Sequence, residues 1–304
     1  MAILNGIVSK MTGSAGQLTF RQKGGQTIVS EKATEVKNPR TEGQMKTRTK
    51  FTNIVAMYRG IRPLLNYGFE SKAAGLSDYN MFVRVNMQQT PVYLTKQQVA
   101  GGACIAAPYQ ITQGSLPAIV ITGEGNTAVT DIFLGGENLS ASTTVAAFSK
   151  AVVDNNPDYR YGDQISYFII RQKVNEATKI PYCQFEAHAV ILDAANEEKL
   201  WSVVPKNGFF SQDGCIGKYG NDGDCVFAWV HSRKSLGKTL VSSQSLIDAN
   251  SKLSEHQGDM AYSLAASSYG VGDSAFLTPS GESSVGSASG TTPTPGGGGG
   301  GDSL

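Results

Sequence analysis

Charge is scarce in this chain. Asp, Glu, Lys and Arg together make up 17% of its 304 residues, and cysteine (4), histidine (3) and tryptophan (2) are scarcer still. The cysteines, Cys104, Cys183, Cys215 and Cys225, form no Cys-x-x-Cys pair, and His188, His231 and His256 do not flank them at zinc-site spacing. A structural zinc is therefore not expected. No apolar run approaches the roughly 18 to 20 residues that cross a bilayer, the longest candidates being strand-like stretches such as Tyr167 to Ile170. No membrane partner is expected. The start, Met1-Ala2-Ile3-Leu4-Asn5-Gly6, lacks the basic and continuous apolar regions of a secretory signal, so synthesis in the cytoplasm without export is the expectation. There is no Walker loop, no Gly-x-Gly-x-x-Gly after a strand and no Gly-x-Ser-x-Gly elbow. These absences point away from an enzyme and from a bound cofactor.

What is present is a strand-rich globular composition, 40% apolar with twelve Tyr and twelve Phe, long enough for roughly two domains. The charge that exists is divided unevenly. Up to Arg62 there are eleven Lys/Arg against Glu31, Glu35 and Glu42, and the remaining residues hold fifteen basic and twenty-two acidic side chains, which is +8 followed by −7. Such a polar chain docks one end onto something negative, either nucleic acid or the acidic surface of another subunit.

Gln17 to Gln22 and Gln26 to Ser30 alternate apolar and polar residues around Lys23-Gly24-Gly25, which predicts a β-hairpin. Asn38-Pro39 ends the strand region. Thr41-x-x-Gln44 then reads as a capping box, and Phe51, Ile54, Val55, Tyr58 and Ile61 recur at helical spacing as one apolar stripe. On that reading Lys46/Lys50 and Arg48/Arg59 border the buried face on opposite flanks. Ser77 is placed to cap a second helix from Asp78 to about Met87.

From Pro91 the pattern is one of short β-type runs separated by turn residues: Val92 to Leu94, Ala103 to Ile111, Ala118 to Thr122, Asp131 to Leu134, Thr143 to Phe148, Gln164 to Val174, Tyr182 to Leu192, Leu200 to Val204, Val226 to Ser232 and Thr239 to Val241. Ser242 to Leu253 reads as a terminal helix or an extended arm. From Thr278 to Leu304, twenty-two of twenty-seven residues are Ser, Gly, Thr or Pro, a composition too poor in apolar surface to fold alone; it reads as a disordered tether, or as chains bundled in a fibre. The fold class expected is α+β: an N-terminal β-hairpin plus helices, then a mainly antiparallel β sandwich or barrel, then a disordered Gly/Ser/Thr/Pro tail. The divisions are residues 1–90 as a hairpin-helix docking module, 91–253 as a β-rich body, and 254–304 as an extended arm and low-complexity tail.

Residues 221–224, Asn-Asp-Gly-Asp, look like a fragment of a calcium loop but lack its distal bidentate Glu, so a polar turn is the better account. His188 and His231 lie in strand-like stretches and read as structural. Cys104 and Cys183 read as small buried hydrophobes, and a Cys215–Cys225 disulfide would need an oxidising setting. No metal ligands, catalytic residues or cofactor-binding residues are assigned. The residues singled out for partner docking or phosphate contact are Arg40, Lys46, Arg48, Lys50, Arg59 and Arg62, with Arg40, Arg48 and Lys50 leading if the partner is nucleic acid.

The arrangement Gly6, Gly13, Gly16, Phe20, then Asn38-Pro39-Arg40-Thr41, Gln44, Arg48 and Phe51, closing on Gly68-Phe69, resembles a family of Bacteroidota and their phages known only as a domain of unknown function. The resemblance covers roughly the first 90 residues and carries no catalytic residues. It implies a phage-type or mobile-element setting; together with the basic docking module, the expectation is a virion structural or virion-associated assembly protein of a Bacteroidota phage or related mobile element, made in the host cytoplasm, with other virion subunits and copies of itself as partners. The alternatives are a cytoplasmic nucleic-acid-binding protein using the basic helix, and a glycan-binding or glycan-processing β domain.

Overall fold

A computed structural model describes residues 2–4, 11–23, 26–32, 42–65, 67–73 and 75–269. The expected glycine turn at 24–25, the Thr41 cap and the tail fall outside the described residues. Four short strands come first: β1 (Ala2–Leu4), β2 (Gly13–Ala15), β3 (Leu18–Lys23) and β4 (Gln26–Glu31), in the antiparallel order β1-β4-β3-β2. The expected hairpin is β3/β4, paired from Leu18↔Glu31 to Lys23↔Gln26. Gly16, at φ +56, makes the tight turn between β2 and β3. None of the described side chains of β2, β3 and β4 joins either of the two apolar cores described below.

Helix α1 (Glu42–Ile61) is followed by α2 (Asp78–Asn86), whose cap is Ser77 as expected, its side chain accepting from the Asn80 N–H at 3.3 Å. Next come α3 (Lys96–Ala100), opened by a Thr95/Gln98 capping box, and strand β5 (Gln110–Thr112). Strands β6 (Ile121–Thr122) and β7 (Val129–Phe133) precede α4 (Val145–Asn155). The long strands β8 (Gln164–Val174) and β9 (Pro181–Ile191) are each eleven residues. A helical turn α5 (Leu200–Val203) and the short strands β10 (Phe210–Gln212) and β11 (Cys215–Gly217) lead to the third eleven-residue strand, β12 (Cys225–Ser235). Strands β13 (Lys238–Val241), β14 (Gln244–Ser245) and β15 (Ile247–Ala249), then helices α6 (Lys252–Glu255) and α7 (Gly258–Ser268), complete the described chain.

The architecture is α+β, with antiparallel strands in several sheets. A central sheet runs β9-β8-β12, with β13 and β15 both paired to the far side of β12. Strand periodicity sends alternate residues to opposite faces. Phe168, Ile170, Val226, Ala228 and Val230 pack with Ile54, Met57 and Ile61 of α1 and Phe82 of α2. Ile165, Tyr167, Ile169, Phe227 and Trp229 pack with Phe148 and Val152 of α4 and with Ile132 and Ile216 of a smaller sheet ordered β10-β11-β7-β6. One sheet therefore serves two cores. Each fully buried aliphatic or phenyl side chain on these faces is worth roughly 1.5 to 3 kcal/mol of transfer free energy. The helices of the expected docking module are built into one of those cores.

Several segments differ from their sequence reading. Thr143 to Phe148, expected as strand, opens α4, because Thr144 caps the Ala147 N–H at 3.2 Å and Val145, Phe148, Ser149 and Val152 then share a buried face. Leu200 to Val204 is mostly the turn α5. Ser242 to Leu253 is neither helix nor arm in the main but β14, β15 and the start of α6, and Gly258–Ser268, placed in an extended arm, is α7.

Ala103 to Ala107 is buried yet belongs to no strand. Its backbone is satisfied by side-chain amides. Asn53 Nδ2 donates to the Ile105 carbonyl at 2.9 Å while its Oδ1 accepts from the Ile105 N–H at 2.8 Å. Gln172 Oε1 accepts from the Ala106 N–H at 2.8 Å, and Asn250 Nδ2 donates to the Ala106 carbonyl at 2.8 Å. Asn86 repeats the pattern, accepting from the Gln110 N–H at 2.8 Å and donating to its carbonyl at 2.9 Å. These amides take the place of a neighbouring strand, as buried backbone groups require.

Candidate docking face of helix α1

The buried side of α1 is Met45, Thr49, Asn53, Ile54, Met57 and Ile61. This corrects the sequence reading of the stripe, which is turned by about a third of the helix circumference. The reason is that two of the buried residues are polar. Thr49 Oγ1 donates to the Met45 carbonyl at 2.8 Å, and Asn53 is fully occupied by Ile105 and by the Tyr109 hydroxyl.

Consequently Phe51, expected to be a core anchor, is 37% exposed. Arg48, Phe51, Val55, Arg59 and Arg62 follow one another at spacings of three and four, which at 3.6 residues per turn confines them to an arc of about 80° facing away from the core. The three arginines are exposed and none has an ion-pair partner among the described residues. Arg48 and Arg59 thus lie on one side of the helix, as the sequence reading has them, and Arg62 joins them there. They share one face with an aromatic and an aliphatic side chain.

A groove lies on each side of this ridge. One, of about 430 Å³, is lined by Phe51, Val55 and Arg59 together with Val99, Tyr182 and Phe185. The other, of about 780 Å³, is lined by Val55, Tyr58, Arg59, Arg62, Ser77 and Tyr79. Val55 and Arg59 border both. Tyr58 and Tyr79 meet edge to face with ring centroids 5.2 Å apart, fixing the wall of the second groove. Asp78, also there, pairs with Lys72 at 2.8 Å rather than with the arginines.

Of the six residues singled out in the sequence, the structure brings Arg48, Arg59 and Arg62 together. Lys50 lies about 200° around the helix from Arg48 and is half-buried. Arg40 and the side chain of Lys46 lie outside the described residues. The sequence reading missed Val55 and Phe51 as members of the outward face.

The other ionisable clusters are internal. Asp163, at the start of the central sheet, accepts from Arg233 Nε and Nη2, both at 2.7 Å, and pairs with His231 Nε2 at 2.9 Å; Tyr159 stacks on the imidazole at 4.3 Å. Burial would raise the Asp163 carboxyl, but the hydrogen bonds from Arg233 and His231 outweigh it and hold it below the usual range. Burial pulls His231 below its ordinary value despite that carboxylate. His231 is 0% exposed. Asp222, in the Asn-Asp-Gly-Asp stretch, pairs with Arg171 and with buried Lys218, both at 2.9 Å, and the stretch is the polar turn expected, with Gly223 N–H donating to Asn221 Oδ1 at 2.8 Å. Burial would raise the Asp222 carboxyl too, and its cations hold it down.

All four cysteines are free. Cys183 donates to the Cys104 carbonyl at 3.3 Å, and hydrogen bonding to Cys104 together with burial pushes its thiol up; burial pushes Cys225 up to about 11. Among the described residues no three His, Cys, Asp or Glu side chains gather as a metal site, and no helix is long and apolar enough to cross a membrane.

The fold and this face define an α+β protein with a cationic, partly apolar helix presented to solvent. Residues 10–153 match the sequence profile of a family of unknown function, DUF6266. That span includes all of α1 and both grooves' walls except those contributed by β9. No curated protein and no solved structure matches the chain.

Proposed function

We propose that this chain is an assembly protein of a Bacteroidota phage or related mobile element, seated on an acidic neighbouring subunit through the outward face of α1. The observation that carries the docking reading is the stripe Arg48, Phe51, Val55, Arg59, Arg62: cations with no ion-pair partner among the described residues, interleaved with exposed Phe51 and half-buried Val55, on a helix whose opposite face is locked into a core. An interface core enriched in arginine and aromatic side chains fits this composition. The phage setting rests on the resemblance of the glycine and Asn-Pro-Arg-Thr motifs. The test is mass spectrometry of purified particles, with wild type present and a folded Arg48→Glu/Arg59→Glu/Arg62→Glu variant depleted. Absence of the wild-type chain from particles rejects the reading.

A second reading is favoured by one specific observation, the sharing of a face by the same three arginines with Phe51, beside Tyr58. Phosphate contacts with stacked bases would use such a surface. Filter binding across a salt series separates the two: nucleic-acid binding loses about 0.9 in log K per log salt for each duplex phosphate contacted, whereas docking on an acidic protein leaves only weak retention.

A further inference from the structure

Strand β9 is one edge of the central sheet. The opposite edge is closed by β13 and β15, but β9 has only β8 beside it. The Leu192 N–H donates to the Asp163 carbonyl at 2.8 Å, continuing the β8/β9 register beyond Gln164↔Ile191. Even-numbered residues of β9 therefore turn their backbone groups toward β8, and residues 183, 185, 187, 189 and 191 turn theirs outward. Pro181 agrees with this parity, its outward carbonyl accepting from the Cys104 N–H at 3.0 Å. Beyond it, the outward N–H and C=O groups of 183 to 191 have no hydrogen-bond partner among the described residues.

Monomeric proteins blunt such edges with lysines, prolines or bulges. From Tyr182 to Ile191 this strand has no lysine and no proline, and its ladder to β8 is without a shift. We infer that β9 pairs antiparallel with β9 of a second copy across a twofold axis, joining two central sheets into one. This inference does not rest on the reading of α1 as a docking face, although Tyr182 and Phe185 of β9 also line the groove beside that face.

Charge selects the register. With the axis at Ala187, Glu186 lies opposite the partner's His188, twice over, at positions where facing side chains approach most closely. Within one chain these two side chains already lie 3.9 Å apart, on the same face of the strand. Moving the axis to Glu186 sets two carboxylates, each also held by its own Arg171 at 2.6 Å, against each other, and moving it to His188 takes Glu186 away from the partner's imidazole. On the other face, the Ala187 axis places Phe185 against an alanine and meets no bulky pair at its centre.

Sedimentation equilibrium of the full chain tests this. The wild type should have twice the chain mass. Ala187→Pro removes an outward N–H that β8 does not use, and should give a monomer with unchanged far-ultraviolet circular dichroism. If that variant misfolds, Ala189→Lys, which alters only an exposed side chain, decides instead. Ala187→Cys should cross-link between chains on mild oxidation, since facing Cα atoms about 5.5 Å apart lie within disulfide range, and Leu236→Cys in a distant exposed turn should not. A monomeric wild type, or a dimer that survives both edge variants, overturns the inference.

Discussion

At the scale of single residues, the most informative side chains are the ones whose chemistry and position disagree. Phe51 is large, apolar and half in water, while Asn53, two positions on, is polar and 0% exposed. Phe51→Ala should therefore cost less than about 1 kcal/mol, and Met57→Ala, fully buried, about 2 to 5 kcal/mol. Asn53→Leu should rival Met57→Ala, because it orphans both backbone groups of Ile105 at about 1 to 3 kcal/mol each. Urea unfolding midpoints rank the three. Such amides are hard to see in a sequence: nothing in spacing distinguishes an Asn that bonds a distant chain from one in solvent. The periodicity of α1 was legible, but its phase was not, and with the phase went the true membership of the docking face.

The same scale fixes a pH dependence. His231 and His256 are both held below their ordinary value by burial. Their unfolded forms take up protons near pH 6.5, before the folded forms do, so stability should fall as pH drops below about 6.5. Asp163 acts lower. Its depressed folded value means that its contribution is present above about pH 4 and is lost as pH falls through the folded value. Urea midpoints followed from neutral pH down should show the first slope, and His231→Gln, which keeps a neutral donor for Asp163, should flatten part of it.

Among elements, α1 owes its position to an absence of side chain. A methyl group at Gly60 would overlap the Phe185 ring of β9. Gly→Ala in a helix interior ordinarily gains up to about 1 kcal/mol, but here Gly60→Ala should lower the melting temperature. Adding Phe185→Leu should recover part of the loss, and simple additivity of the two changes would show that the contact is not the cause. Elements with strong local signals, the β3/β4 hairpin, α2 with its Ser77 cap, and the three long strands, were legible because their reasons are local. Ala103 to Ala107 and the start of α4 were not, since the first draws its hydrogen bonds from residues 52 to 144 positions away and the second shows its period only beyond Phe148.

Across the whole molecule, the N-terminal sheet and the rest answer differently to truncation. A chain beginning at residue 42 keeps both cores and should melt close to the full-length temperature. One beginning at residue 91 loses Ile54, Met57, Ile61 and Phe82 and bares a face of the central sheet, so it should be recovered only in aggregates; a soluble, cooperatively melting 91–304 chain would contradict the shared core.

The sharing has an evolutionary side. In β8 and β12 neighbouring positions answer to different cores, so inserting or deleting one residue in mid-strand transposes every side chain beyond it into the wrong neighbourhood, apolar for polar and large for small, on both sides of the wall at once. Length variation among related chains should accordingly be confined to connections such as 175–180 and 236–237, where exposed turns absorb it, and the three long strands should keep a constant length even where their residues change.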